Sequence, residues 1–393
     1  MFKPFESLER GRKTIVFNSF HSINSSKKMR KMKILLLGEY SNVHATLARG
    51  LRALGHQVTV ASNGDFWKNY PRDIDLARRP GKLGGLGLMA KVYANLPRMR
   101  GYDVVQIINP MFLELKAERI KPVYRWLRRH NGKMVMCAFG MDFYWVHECI
   151  RRRHLRYSDF NIGDKLRHTS EAEREIADWI GTPKAMLNKY IACNCDHIVT
   201  GLYEYHSCYE PLFPRKTTFI PFPIEIPEKP VDLTPSDKVR IFIGINRGRS
   251  IYKGTDIMLS AARRIESDYP GRVALNVAES VPFEQYQRMV EGSDLILDQL
   301  YSYTPSMNPL MAMSKGLVCV GGGEPENYEI LGEKTLRPII NVQPTEQSVY
   351  EELEKVVLHP ECLPQLRRDS REYVLRHHEY IHVARMYEQL YSK

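Results

Sequence analysis

Three basic side chains lie in one short loop, between an apolar stretch and a helical pattern. They are Arg247, Arg249 and Lys253, and they follow the apolar stretch 239–244. A strand that ends in a glycine-containing loop before a helix suits phosphate groups, because the backbone can approach them closely. Guanidinium and ammonium groups at such a place neutralise a diphosphate. The loop therefore predicts a diphosphate site, with a solvated charged loop as the alternative interpretation.

Two further places could supply polar groups to a ligand. The helix predicted over 309–314 begins after Ser306, Met307 and Asn308, where free backbone N–H groups bind anions. Asp142 follows an apolar stretch, and ligands of open parallel sheets lie beyond the carboxyl ends of the strands. Its carboxylate could act as a general base or hold a sugar hydroxyl. Capping of the next helix is the alternative.

Polar and aromatic side chains after the first two predicted strands could line a substrate cleft. They are, in chain order, Tyr40, Asn42, His44, Trp67, Lys68 and Arg72. Loops carried by a rigid sheet commonly hold binding residues, although an ordinary packed loop is the alternative interpretation.

Alternating strands and helices must position these groups. The stretch 33–38 is apolar, 45–54 has helical spacing and ends at Gly55, and 56–60 is again typical of a strand. This βαβ order, with its right-handed crossover, predicts a parallel sheet. The same alternation recurs after residue 238, which predicts a second α/β domain.

Length and composition divide the chain further. A chain of 393 residues exceeds one ordinary core, and a proline-rich stretch precedes residue 238. The pattern over 81–100 predicts a helix packed on the sheet, with an interfacial element that has a basic rim as the alternative. The predicted parts are a poorly ordered extension (1–31), a first domain (32–225), a linker (226–237), a second domain (238–370) and a C-terminal helix (371–393) that can pack back on the first domain.

The net charge of +12 indicates an anionic partner, namely nucleic acid, an anionic membrane leaflet or a phosphorylated substrate. The stretch 119–156 has ten Lys/Arg and two acidic residues, which predicts a basic surface on the N-terminal half. No apolar run reaches the roughly 18 residues of a membrane span. Seven cysteines without regular spacing indicate a reducing compartment and buried thiols, with a zinc site around 193–208 as the alternative.

Five short motifs together carry a family resemblance. They are GHQV at 55–58, DHIV at 196–199, FIPFP at 219–223, RxxxKG at 249–254 and PLMAMSKG at 309–316. From about residue 32 to the C-terminus, their order and spacing resemble the GT-B glycosyltransferases, specifically the retaining family 4 (glycosyl transferases group 1) type. The resemblance implies an α/β fold of two Rossmann-like domains that face each other across a cleft. It also implies a nucleoside diphosphate sugar as co-substrate and no other cofactor.

The resemblance assigns roles to the basic loop. Arg249 and Lys253 are expected to hold the donor diphosphate, with Arg247 as a near neighbour. Backbone amides at Met307 and Asn308 are expected to meet the same phosphates. Stabilising the charge on the leaving diphosphate is a catalytic role, and it requires no metal.

Two departures from the family concern carboxylates and a histidine. The family's paired glutamates fall here on Tyr303 and Met311, so the usual ribose-binding carboxylate is missing. The candidates to replace it in donor binding are Glu279, Glu324 and Glu326. The family's catalytic histidine has no clear counterpart, which leaves Asp142 as the catalytic candidate and His44 behind it.

These expectations combine into one functional hypothesis. The protein transfers a hexose, with retention, from a nucleoside diphosphate sugar to a hydroxyl of a glycan or lipid-linked acceptor in surface polysaccharide synthesis. It is expected to be cytoplasmic, with peripheral attachment to an anionic membrane at the inner face, and to bind no nucleic acid. A catalytically inactive sugar-nucleotide-binding relative and a basic nucleic-acid-binding protein are the alternatives.

Overall fold

Alternating strands and helices build two parallel sheets, as the sequence pattern predicts. The computed structural model describes residues 30–393, except 230, 232, 234, 235, 280 and 282 and the side chains of 247, 283, 284 and 287. Of the predicted extension 1–31, residues 1–29 lie outside the described residues. The strands are β1 (Lys33–Leu37), β2 (Gln57–Ser62), β3 (Ile74–Asp75), β4 (Val104–Ile107), β5 (Lys133–Ala138), β6 (Asn161–Ile162), β7 (Lys165–Leu166), β8 (His197–Thr200), β9 (Thr217–Phe219), β10 (Val239–Ile245), β11 (Val273–Glu279), β12 (Leu295–Leu297) and β13 (Val318–Val320).

The first sheet has the order β3-β2-β1-β4-β5-β8-β9, and the second has the order β11-β10-β12-β13. Every neighbouring pair in both sheets is parallel. Parallel strands are covered on both faces, which explains why β1 and β5 are apolar almost throughout and buried beyond their first residue. The predicted class, α/β with two Rossmann-like domains, is confirmed.

Helices cover the faces of the two sheets. The α-helices are α1 (Val43–Ala53), α2 (Gly84–Asn95), α3 (Ala117–His130), α4 (Phe143–Arg151), α5 (Ser170–Trp179), α6 (Pro183–Asn194), α7 (Tyr203–Tyr209), α8 (Ser250–Lys253), α9 (Thr255–Asp268), α10 (Phe283–Glu291), α11 (Met307–Ser314), α12 (Pro325–Leu331), α13 (Glu346–Leu358), α14 (Leu363–His378) and α15 (Tyr380–Ser392). Short 3₁₀ turns lie at Phe66–Lys68, Leu96–Met99, Arg247–Arg249 and Pro360–Cys362.

The C-terminal helical pattern forms α14 and α15 rather than the single helix expected over 371–393. The side chain of Glu379 accepts hydrogen bonds from the backbone N–H groups of Ile381 and His382, at 3.1 and 2.7 Å. A new helix therefore starts there, because capped N–H groups mark a helix start. Helix α15 then packs closely on α1, since a Cβ added at Gly50 would lie 2.6 Å from the carbonyl oxygen of Tyr380.

Helix α2 packs one face and exposes another. Leu88 and Val92 are buried, whereas Leu83, just before the helix, and Leu86 within it are 74% and 52% exposed. One face of α2 is therefore packed in the core, and the exposed apolar surface of the alternative interpretation is present as well. Within the described residues, no helix combines the length and the apolar content that crossing a bilayer requires.

Candidate functional site

A cavity of about 860 Å³ lies beyond the carboxyl ends of β1, β2, β4 and β5. Parallel sheets bind ligands at this edge, since the loops that follow the strands converge there. The lining residues from these loops and from α5 include Glu39, Tyr40, Asn63, Phe66, Asn109, Met141 and Trp179. Basic residues also line the cavity, namely Arg78, Lys82, Lys116, Arg119 and Lys184. Four carboxylates line it as well, namely Glu39, Glu114, Glu175 and Asp178, so the cavity offers apolar, basic and acidic groups to a ligand.

Glu39 lines this cavity and was not among the predicted site residues. Its carboxylate accepts hydrogen bonds from the backbone N–H groups of His44 at 3.2 Å and Ala45 at 2.8 Å. Burial raises the pKa of Glu39 to about 8, and these hydrogen bonds oppose the rise. Its place directly after β1 and Gly38 was the signal in the sequence, because strand ends of parallel sheets face the ligand.

The predicted acceptor residues of the first loop lie partly at the cavity and partly in the core. Tyr40 lines the cavity. Asn42 begins α1 with a left-handed φ of 71°, and its buried Oδ1 has no hydrogen-bond partner among the described residues. His44 is fully buried, with Nδ1 2.8 Å from the carbonyl oxygen of Gly38 and Nε2 3.1 Å from the Gln106 amide nitrogen. Burial lowers the pKa of His44 to about 4, so the structure places it as a neutral core residue rather than at the cleft surface.

The second predicted acceptor loop is held by its own charges. Lys68 donates to Asp65 at 2.6 Å, and Asp65 accepts from the backbone N–H of Ser41 at 2.9 Å, which ties the two loops together. Arg72 donates to groups of its own segment. Trp67 is 69% exposed. Lys68 and Arg72 therefore hold this loop in shape, and Trp67 lies on the protein surface beside it.

Asp142 caps helix α4. One carboxylate oxygen accepts from the backbone N–H of Trp145 at 2.9 Å, and the other accepts from the hydroxyl of Tyr209 at 2.7 Å. The residue is fully buried. Burial raises its pKa to about 7, against the opposing effect of these hydrogen bonds. The geometry matches the capping alternative, and the catalytic role of Asp142 stays a prediction.

The basic loop follows β10, as the sequence predicts. The Asn246 side chain accepts from the backbone N–H of Gly248 at 3.1 Å, which turns the chain into the 3₁₀ turn. The guanidinium of Arg249 is exposed and lies 5.6 Å from the ring centre of Tyr252. The side chain of Arg247 lies outside the described part of the chain.

Lys253 ends the short helix α8 at the carboxyl edge of the second sheet. Its carbonyl accepts from the backbone N–H of Leu300 at 3.0 Å. Within the described part of the chain, its ammonium group has no hydrogen bond or ion pair. Gly254 follows with φ of 73°, and an added Cβ would lie 2.6 Å from the Cβ of Leu300. Glycine is thus required there, and the ammonium group of Lys253 remains available to an anion.

The other predicted donor contacts surround the same strand ends. Ser306 precedes α11, with its hydroxyl 3.4 Å from the carboxylate of Asp298. Met307 is buried, and the side-chain amide of Asn308 donates to the hydroxyl of Tyr286 at 2.8 Å. Glu279 ends β11 next to the residue that ends β10. The strand ends and the start of α11 therefore meet at one edge.

Glu324 and Glu326 pair with the first domain through an interdomain segment, which we define as residues 156–167. The guanidinium of Arg156 donates to Glu324 at 2.7 Å and to both oxygens of Glu326, one of them at 3.0 Å. The hydroxyl of Tyr157 also donates to Glu324. Both predicted donor-binding carboxylates are thus occupied by an interdomain contact, which sequence reasoning missed because the partners are distant in the chain.

The interdomain segment also reaches the helix that carries Lys253. Asp159 accepts from the hydroxyl of Tyr252 at 2.7 Å. Arg167 donates to the carbonyl oxygens of Ile251 at 2.8 Å and Tyr252 at 3.1 Å, and it lies 3.5 Å from the ring centre of Tyr301. Arg167 therefore fixes α8 against the first domain.

Tyr303 lies where the resemblance predicts the first of the paired glutamates. Its hydroxyl accepts from the backbone N–H of Arg156 at 2.7 Å, and its ring packs against Tyr157 and Tyr203. Its own N–H donates to the buried carboxylate of Glu204 at 2.5 Å. An aromatic interdomain contact therefore replaces a carboxylate at this position.

The basic loop and the cavity are electrostatically linked. Glu175 lines the cavity and is half-buried. Burial raises the pKa of Glu175, and the positive charge of Arg249 opposes that rise.

Metal-binding side chains do not gather in the described residues. No group of three or more His, Cys, Asp or Glu is placed there to hold an ion. The described cysteines are all free thiols, with Cys195 and Cys208 buried and Cys193 exposed.

Comparison with known proteins identifies the fold. No protein-family model and no curated protein matches the sequence. Sucrose-phosphate synthase from Thermosynechococcus elongatus is 14% identical, with a TM-score of 0.60 over 92% of this chain and 98% of that chain. Anabaena HepE in complex with UDP-glucose is 12% identical, with a TM-score of 0.58 over 92% of this chain and all of that chain. The catalytic domain of starch synthase IV from Arabidopsis thaliana, bound to ADP and acarbose, is 11% identical, with a TM-score of 0.54 over 92% and 99%. The likeness confirms the predicted GT-B fold.

Proposed function

We propose that the protein is a glycosyltransferase that moves a hexose from a nucleoside diphosphate sugar to a hydroxyl of a glycan or lipid-linked acceptor, in surface polysaccharide synthesis. One arrangement carries the proposal. Arg249 and Lys253 follow β10 at the carboxyl edge of the second sheet, and the ammonium group of Lys253 has no hydrogen bond or ion pair among the described residues. The UDP-glucose bound to HepE and the ADP bound to starch synthase IV support a nucleoside diphosphate sugar as donor.

The proposed reaction uses the two domains differently. Arg249, Lys253 and the backbone N–H groups at the start of α11 bind the donor diphosphate. The bond from the sugar's anomeric carbon to phosphate breaks, and a bond to the acceptor oxygen forms with release of the hydroxyl proton. Negative charge grows on the leaving diphosphate, so the two cations stabilise the transition state more than the ground state. We propose retention of configuration and no metal requirement.

Donor hydrolysis by wild type and two lysine variants tests this proposal. A panel of UDP-, GDP-, ADP- and dTDP-sugars is offered with and without EDTA, to wild type, Lys253→Ala and Lys238→Ala. Lys238 is the matched control, because it is exposed and precedes the amino end of β10. We expect one donor to be hydrolysed, the rate to fall at least tenfold only in Lys253→Ala, as for loss of one charge-stabilising donor, and EDTA to have no effect. Equal rates in both variants would contradict the role of Lys253.

A catalytically inactive relative is the second candidate. Arg156 already occupies Glu324 and Glu326, and Tyr303 replaces a family glutamate. A protein of this kind would bind a nucleotide sugar without turning it over. Tight donor binding in calorimetry, with no hydrolysis and no transfer to any acceptor, would favour it over the enzyme.

A further inference from the structure

Helix α2 has a second apolar face that no described residue covers. Leu83 precedes the helix, and Leu86, Ala90 and Tyr93 follow at helical spacing, all of them exposed. The exposed fractions of Leu83, Leu86 and Tyr93 are 74%, 52% and 49%. A helix with apolar residues on all sides is normally buried, so the exposed stripe indicates a partner that covers it.

A neighbouring loop adds two aromatic rings to this stripe. Phe66 and Trp67 are 64% and 69% exposed. Phe66 and the preceding Asp65 have left-handed φ angles of 59° and 58°. A bulky residue adopts this conformation only where its surroundings impose it, and such backbone strain is typical of functional sites. The loop therefore holds its aromatic rings outward at the cost of backbone strain.

The apolar residues have basic neighbours on the same side. Arg78, Arg79 and Lys82 precede α2 and are exposed. Lys82 and Arg78 line the cavity together with Phe66 and Leu86, so the stripe, the aromatic loop and the basic residues surround one opening. Exposed leucines and aromatic rings among arginines and lysines are the composition that binds an interface of anionic lipids.

We infer that this surface, formed by Phe66, Trp67, Leu83, Leu86 and the basic residues 78, 79 and 82, docks the protein on an anionic lipid bilayer. The apolar side chains enter the boundary of head groups and acyl chains, and the basic groups pair with lipid phosphates. The cavity then opens toward the membrane, where an amphiphilic, lipid-linked acceptor can enter it. This last step rests on the proposed function, whereas docking itself does not.

Vesicle flotation of the full chain tests the inference without donor or acceptor. Vesicles are made either of phosphatidylcholine alone or with phosphatidylglycerol. We expect binding to the anionic vesicles at low salt and release near 1 M salt, where screening acts over about 3 Å. We expect Leu83→Gln with Leu86→Gln, and separately Arg79→Glu with Lys82→Glu, to weaken binding about tenfold or more, the scale of one buried leucine.

Exposed leucines elsewhere provide the control. Leu358 and Leu375 are 44% and 45% exposed on α13 and α14. Leu358→Gln with Leu375→Gln should leave vesicle binding unchanged, and thermal unfolding should confirm that every variant folds. Absence of wild-type binding to anionic vesicles would overturn the inference, as would equal weakening by both leucine pairs. Concentration-dependent dimerisation that only the Leu83 and Leu86 substitutions abolish, without vesicle binding, would assign the stripe to a second copy of the chain instead.

Discussion

Arg167 of the first domain donates a hydrogen bond of 2.8 Å to the backbone carbonyl of Ile251 in the second domain. The same guanidinium donates to the carbonyl of Tyr252 at 3.1 Å, so it binds the backbone of the helix that ends in Lys253. Neither residue contacts a sugar in our proposal, yet the pair couples the relative position of the domains to the position of the proposed diphosphate site.

Replacement of Arg167 should therefore impair donor binding through α8. We expect Arg167→Gln to weaken donor binding by roughly 5- to 30-fold, the equivalent of about 1–2 kcal/mol for the lost charged hydrogen bonds. Arg167→Lys should recover part of the lost donor affinity, since a lysine ammonium group can replace only part of the hydrogen bonding of the planar guanidinium. Calorimetric donor titration measures both effects, and exposed Arg151→Gln is the control. Unchanged donor affinity in Arg167→Gln would remove its positioning role.

The two glutamates that pair with Arg156 should differ in their effect on stability. The side chain of Glu324 is 4% exposed and that of Glu326 is 18% exposed, and only Glu324 also accepts from Tyr157. Glu324→Gln should lower the free energy of unfolding by roughly 1–3 kcal/mol, because it disturbs a buried, hydrogen-bonded charge. Glu326→Gln should cost less than about 1 kcal/mol. Urea unfolding measures both; loss of donor affinity in Glu324→Gln without loss of stability would favour the ribose-binding role instead.

Two tyrosines on α15 offer a matched pair. The hydroxyl of Tyr391 donates to the side-chain oxygen of Gln106 at 2.8 Å, whereas the buried hydroxyl of Tyr387 has no partner among the described residues. Tyr391→Phe should cost roughly 1–2 kcal/mol in the free energy of unfolding, because Gln106 loses its donor. Tyr387→Phe should be neutral or stabilising. Equal losses in both variants would show that ring packing, not the hydrogen bond, attaches α15 to the first sheet.

Asp142 should make stability depend on pH. Burial raises its pKa from 3.8 to about 7, so between these values the folded chain binds more protons than the unfolded chain. The contribution of Asp142 to the free energy of unfolding should therefore fall as the pH rises through this range. Asp142→Asn cannot ionise, so relative to the variant the wild type should lose roughly 1–3 kcal/mol between pH 5 and pH 8. Urea unfolding at both pH values tests this, and a relative gain for the wild type would contradict the raised pKa.

The sequence alone was sufficient for the parts of the fold that depend on local pattern. The apolar stretch at 33–38 became β1, the apolar stretch before Asp142 became β5, and the basic loop followed β10 as predicted. Parallel strands are buried on both faces, so each strand appears in the sequence as a nearly continuous apolar run. The position of Lys253 at a strand edge likewise follows from chain order, because loops after parallel strands converge at one edge.

The partners of polar side chains were decided only by tertiary structure. Asp142 caps α4, His44 lies in the core, and Glu324 meets Arg156 across 168 positions of sequence. The periodicity of a sequence predicts which helix or strand contains a residue. It does not predict which distant residue will form a hydrogen bond or ion pair with it. The same holds for α2, whose two apolar faces look alike in the sequence. One is buried in the hydrophobic core, and the other is exposed because no described part of the chain covers it.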